Sequence, residues 1–141
     1  MAALDRKATH LLILDDDSDS RFFLRSNLVR AGFGEVHTTG DPHTAMTYLQ
    51  KHKVSAVLVS SESKSAGGGL AFVKELRGKA SPNATIPILL VVPSGDANIL
   101  QQGIHDGVND FVVRPISLSG LLKRVEKACL NRSITPSREV L

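Results

Sequence analysis

Apolar residues follow two alternating patterns along this chain. Short, nearly continuous runs occupy residues 10–14, 54–59, 86–92 and 108–113. They are rich in Val, Ile and Leu and too short for buried helices, which marks strands covered on both faces. A briefer segment at 35–38 fits another strand, second in chain order. Between these runs the spacing changes to three or four residues. Phe22, Phe23, Leu24, Leu28 and Val29 predict a helix over 18–31 that buries its apolar side chains, with Asp17 or Ser18 as cap and Gly32 at its end. Ala45, Met46 and Leu49 predict a helix over 43–52 with Pro42 in its first turn. Leu70, Phe72, Val73 and Leu76 predict one over 70–77, and residues 93–96 turn into another that runs through about His105. Leu121, Leu122, Val125 and Cys129 line one face of a last helix over 118–130, capped by Ser117. Residues 60–69 and 81–83 read as polar loops, Arg114-Pro115 breaks the fifth strand, and 132–141 reads as a flexible tail.

Strand and helix thus alternate five times, which predicts an α/β fold: three layers, with a five-stranded parallel sheet between helices. Right-handed crossovers bring every carboxyl strand end to one edge. That edge gathers Asp15, Asp16 and Asp17, the segments 60–62 and 92–94, and Arg114. Three adjacent carboxylates repel one another and are tolerated only in a solvated cleft or around a cation. Open α/β sheets place their ligand sites at this edge, so the acidic triplet is the first candidate site.

Composition narrows the function class. A chain of 141 residues is one domain, with length enough for a substantial core. No apolar run approaches the roughly 20 residues of a membrane span, and the first seven residues lack an apolar signal core, so a cytoplasmic location is expected. The single cysteine, Cys129, excludes an internal disulfide and fits core packing. A net charge of +3 with scattered basic residues and few aromatics argues against a nucleic-acid interface. His10, His37, His43, His52 and His105 have no metal-ligand spacing and read as surface or packing residues. The serine- and glycine-rich loop at 60–69 lacks the phosphate-cradle pattern and reads as a flexible connector.

Particular residues add to this frame. Ile13-Leu14-Asp15-Asp16 with Arg21, Gly69-Leu70, Ile86-Pro87-Ile88 and residues 107–115 together resemble the CheY-like receiver domain of two-component response regulators, over residues 8–131. The resemblance implies a flavodoxin-like fold with strand order 2-1-3-4-5. It matches Asp15 and Asp16 to the family's acidic pair, which helps to bind a divalent cation, normally magnesium. It also matches three departures. The phosphoacceptor aspartate lies eight residues before the glycine matched by Gly69, which puts Ser61 in its place. The switch hydroxyl of strand four is matched by Val92 and the lysine of strand five by Arg114. The aromatic switch position is matched by Phe111.

The departures imply a pseudo-receiver. A serine hydroxyl needs a base before it attacks a phosphodonor, and none is evident beside Ser61. Val92 has no hydroxyl to donate. Glu62 supplies a carboxylate one residue along, but extended backbone would turn it to the other face. Arg114 is long enough to reach Asp15 or Asp16 and neutralise the acidic cluster without phosphate; with one ligand carboxylate missing, magnesium binding is expected to be weak or absent. Asp17 reads as a solvated charge at a helix start.

The expected activity is contact with a kinase, an output protein or a second copy, rather than turnover. The face implied for partners or a homodimer comprises residues 97–105, 108–113 and 118–130. Two alternatives stand beside this reading. One is a conventional phosphorelay receiver with a displaced acceptor. The other is a small haloacid-dehalogenase-like phosphatase, in which Asp15-x-Asp17 would be nucleophile and acid, Ser60 or Ser61 the hydroxyl motif, and 106–110 the metal motif.

Overall fold

The computed structural model describes residues 3–64, 67–78 and 82–130. Strands β1 (His10–Leu14), β2 (Glu35–Thr39), β3 (Ala56–Ser60), β4 (Ile88–Val92) and β5 (Asp110–Val113) alternate with helices α1 (Ser18–Arg30), α2 (Pro42–Lys51), α3 (Gly68–Gly78), α4 (Ala97–Asp106) and α5 (Leu118–Leu130). All neighbouring strands run parallel, in the order β2-β1-β3-β4-β5. This is the expected three-layer, flavodoxin-like α/β fold. Ser65, Ala66, Ser81 and the tail at 132–141, all placed in loops or termini above, lie outside the described residues. Among the described residues no helix is long and apolar enough to cross a membrane.

The strand alternation sorts side chains into two cores. Leu12, Leu14, Val57, Val59, Ile88, Leu90, Val92 and Phe111 face one side, where Ala45, Met46 and Leu49 of α2 and Phe72, Val73 and Leu76 of α3 cover them. Leu11, Ile13, Ala56, Leu58, Leu89, Val91 and Val112 face the other, under Leu24 and Leu28 of α1 and Leu121 and Val125 of α5. Central strands β3 and β4 are buried at every position, as continuous apolar runs require.

Several boundaries shift by a few residues for identifiable reasons. β4 starts at Ile88 because Pro87 has no N–H for the ladder; its carbonyl still accepts from Val57 N at 2.9 Å. β5 starts at Asp110 because Val108 N donates to Gly103 O at 2.9 Å and so closes α4. Asp17, not Ser18, is the α1 cap: its Oδ1 accepts from Asp19 N at 2.9 Å and Ser20 N at 3.2 Å.

The α1 face differs from expectation. Only Leu24 and Leu28 are buried, whereas Phe22 is 75% exposed, and Phe23 and Val29 are exposed too. At 100° per residue Phe22 lies nearly opposite Leu24, so no single face holds all five apolar residues.

Arg77 stitches the β4 and β5 ends together. Its guanidinium donates to the carbonyls of Gly107 (3.0 Å), Ala84 (2.9 Å) and Ile86 (2.6 Å) and to Asn109 Oδ1 (2.8 Å). Burial lowers its pKa to about 10, still well above neutrality.

Candidate functional site: an acidic edge with an internal cation

The acidic segment begins where β1 stops. Asp15 N donates to Thr39 O at 3.0 Å, extending the β1–β2 ladder by one bond. The Asp15 side chain is 2% exposed. Its Oδ1 accepts from Asp17 N at 3.0 Å, an Asx turn that bends the chain into α1. Its Oδ2 is buried without a hydrogen-bond partner among the described residues. Arg21 Nη1 donates to Asp15 O at 2.7 Å and steadies the turn. Gly40 packs against this turn: a Cβ there would lie 3.3 Å from Asp16 Cα and 2.8 Å from Arg21 Nη1.

The other strand ends converge here. Arg114 follows β5, and its backbone N donates to Val92 O at 3.0 Å. Its Nη2 stands 3.6 Å from Asp15 Oδ2 and donates to Ser20 Oγ at 2.9 Å. Its Nε stands 3.6 Å from Glu62 Oε1. The guanidinium therefore bridges three segments: the end of β1, the first turn of α1 and the turn after β3. Asp16 is engaged differently: its Oδ2 accepts from the backbone N of Lys64 at 2.5 Å.

Glu62 corrects an expectation. Extended backbone would have turned it away, but β3 ends at Ser60, and residues 61–62 form a turn in which alternation no longer holds. Its carboxylate faces Arg114 instead. Ser61 N donates to Val91 O at 2.9 Å, while Ser61 Oγ is buried without a hydrogen-bond partner among the described residues. Ser60 is buried and its Oγ accepts from Glu62 N at 3.3 Å. Gly69 is required behind this turn, since a Cβ would lie 2.1 Å from Ser60 O.

Val92 is fully buried and Phe111 is 3% exposed. Phe111 packs under α4, where a Cβ at Gly103 would meet its ring at 2.7 Å. Asp106 and Asp110 fall elsewhere. Asp106 closes α4 and Asp110 opens β5, so both lie at the amino-terminal edge of the sheet, opposite Asp15. The two acidic motifs of the phosphatase alternative do not share a site.

The pattern of the response regulator receiver domain matches residues 11–126. The chain belongs to this family. The receiver is 27% identical over 116 residues to a chemotaxis protein CheY homolog of Campylobacter jejuni, spanning 82% of this chain and 88% of that protein. It is 32% identical over 108 residues to the cyclic di-GMP phosphodiesterase response regulator RpfG of Xanthomonas campestris, spanning 76% of this chain but 28% of that protein. Among solved structures, chemotaxis protein CheY4 of Vibrio cholerae superimposes with a TM-score of 0.78 at 26% identity, covering 85% of the receiver and 98% of CheY4. The receiver is thus a module of two-component signalling.

Receivers bind magnesium at the acceptor site, and the donor set here fits one only in part. Asp15 Oδ2 is a buried acceptor without a hydrogen-bond donor, as a cation ligand would be. Against this, Asp16 Oδ2 already accepts from Lys64 N, and Arg114 lies beside Asp15. No three His, Cys, Asp or Glu side chains among the described residues are grouped to hold a metal.

The Arg114 reach to Asp15 was legible from side-chain length and topology. Ser20, Glu62 and the Lys64 backbone as partners were not, because turn geometry after β1 and β3 sets them.

Proposed function

We propose that this receiver signals by protein contact, with its phosphorylation pocket held in one state by Arg114. The bridge from Arg114 to Asp15, Glu62 and Ser20 carries this reading. A guanidinium between two carboxylates supplies the positive charge that a divalent cation would otherwise bring. Asp15 and Asp16 would hold magnesium if it bound, but it must displace or share the place of Arg114, so its affinity is weak. Magnesium there would offset negative charge on a phosphodonor.

The acceptor chemistry is missing at the matched position. Among the described residues the Ser61 hydroxyl has no hydrogen-bond partner that could remove its proton. Val92 and Phe111 offer no hydroxyl to report a phosphoryl group, and both are packed into the core. The face formed by α4, β5 and α5 is the partner surface in this reading, with Val113 and Leu118 exposed on it. Its partner is a signalling protein, a kinase or an output protein, or a second copy of the chain.

Glu62 supports a second reading, a displaced acceptor. It faces the pocket, its side chain is 55% exposed and Arg114 lies beside it. One experiment separates the two. The protein is incubated with acetyl phosphate and magnesium, then analysed by intact mass spectrometry. No phosphoryl adduct is expected. A stoichiometric acid-labile adduct that Glu62→Gln abolishes would establish the second reading, and an acid-stable adduct on Ser61 would overturn both.

A further inference from the structure

Three of the five histidines gather far from the acidic edge. The Tyr48 ring is sandwiched between His37, stacked at 4.0 Å with an interplanar angle of 5°, and His52, stacked at 4.1 Å and 21°. His10 stands edge-on to Tyr48 at 5.5 Å, and its Nε2 shares a 2.5 Å hydrogen bond with the Tyr48 hydroxyl. His10 and His52 rings are 6.1 Å apart.

Register explains the convergence. His10 pairs with Glu35 and Leu12 with His37, and Leu12 belongs to the core under α2. Residues two apart on a strand share a face, so His10, Glu35 and His37 all point toward α2. Tyr48, and His52 just past the α2 end, are four residues apart on a helical path and meet them there.

We propose that this stack is a pH-sensitive latch: it holds the carboxyl half of α2 on edge strand β2 while His10 is neutral, and releases it when His10 takes up a proton.

The charge balance carries the argument. From β1 the cluster receives His10, from β2 Glu35 and His37, and from α2 and its end Tyr48, Lys51 and His52. Lys53 lies in the following loop, and Ser55 Oγ before β3 is a neutral acceptor for His10 N at 3.1 Å. One carboxylate faces three imidazoles. Glu35 Oε2 lies 3.8 Å from His10 Nε2, but its side chain is 70% exposed and water screens it. A proton on His10 therefore gains only a screened partner. The shift at His10 agrees: burial lowers its pKa most, Glu35 opposes this, and His52 and His37 lower it further.

The latch has a path to the acidic edge. β2 ends at Thr39, whose carbonyl accepts from Asp15 N at 3.0 Å, and Gly40 packs against Asp16 and Arg21. The Gly40–Asp41 turn then leads directly into α2. Loosening α2 and β2 loosens a wall of the acidic pocket. Ala45 and Met46 in the amino half of α2 stay in the core, so release is local and not global unfolding.

Native-state hydrogen exchange by NMR between pH 7.5 and 5.5, corrected for intrinsic exchange, tests this. Protection of amides in the carboxyl half of α2 is expected to fall several-fold on acidification, while α5 keeps its protection. Glu35→Gln, an exposed change, removes the counter-charge and enlarges that fall. His10→Gln removes the titrating group and abolishes it. Unchanged α2 protection in the natural sequence, an equal loss in α5, or a Glu35→Gln profile identical to the natural one would each overturn the latch.

Discussion

Arg114 Nη2 stands 3.6 Å from Asp15 Oδ2, a buried oxygen with no hydrogen-bond donor among the described residues. The two residues sit at the ends of β5 and β1, strands separated in the sheet by β3 and β4. The contact is therefore a tie across the carboxyl edge. An arginine has the length for it, and its fork leaves other N–H groups for Ser20 and Glu62.

Removing the tie exposes what it neutralises. Arg114→Gln removes the ion-pair partner of the buried Asp15 carboxylate, at an expected cost of about 1–3 kcal/mol, discounted because Arg114 is partly exposed. Magnesium then takes the place of the guanidinium. Thermal melts should show magnesium raising the variant's Tm more than that of the natural protein. Equal shifts in both would mean that Arg114 and the ion do not compete.

Ser61→Asp restores a third carboxylate at the end of β3. Magnesium affinity measured by calorimetry should rise about tenfold, which corresponds to about 1.4 kcal/mol. Phosphorylation by acetyl phosphate should need Arg114→Lys as well, because the guanidinium still fills the pocket. An efficiently phosphorylated single Ser61→Asp variant would show that Arg114 is no barrier.

Gly69→Ala tests the approach of α3 to β3. The added methyl would lie 2.1 Å from Ser60 O, a backbone atom that cannot swing aside. The expected destabilisation is about 1–3 kcal/mol, read as a lower urea midpoint with an unchanged slope.

Arg77→Met removes a hub of four hydrogen bonds. The carbonyls of Ala84, Ile86 and Gly107 and the Asn109 amide each lose a donor. Some regain water, so about 2–4 kcal/mol is expected from urea unfolding. A loss below about 0.5 kcal/mol, the size of an ordinary surface change, would show that the hub is dispensable.

Global stability should depend on pH through two groups of opposite charge. His10 has a folded pKa below 6.5, so the unfolded chain binds its proton more readily. Its contribution is complete above pH 6.5 and declines as pH falls from there through the folded value. Asp41, the α2 cap, has its pKa lowered below 3.8, first by the Thr44 hydroxyl and then by the Thr44 N–H. Its contribution is complete above pH 3.8 and is lost as pH falls through the folded value. Urea midpoints across pH 3 to 8 should therefore step down first below 6.5 and again below 3.8; His10→Gln removes only the first step.

Period and punctuation determined most of the architecture from the sequence alone. Runs such as 54–59 and 86–92 name their strands because a strand buried on both faces is apolar at nearly every position. Asp15, Asp16, Ser61, Val92 and Arg114 could be placed at one edge because parallel topology sends every carboxyl strand end the same way. The acceptor position at Ser61 and the switch positions Val92, Phe111 and Arg114 came instead from the resemblance to receivers. Where interactions depend on the path of a turn or on register between strands, only the tertiary structure decided. Glu62 faces Arg114 because the chain leaves extended geometry at Ser61. The α1 surface keeps Phe22 outside because the face turned to the sheet carries Leu24 and Leu28, and Phe22 lies nearly opposite Leu24. His10, His37, Tyr48 and His52 carry no sequence spacing that unites them; the β1–β2 register and the docking of α2 bring them together. Local pattern encodes which face of an element is apolar, whereas side-chain meetings across elements follow from packing that no single segment contains.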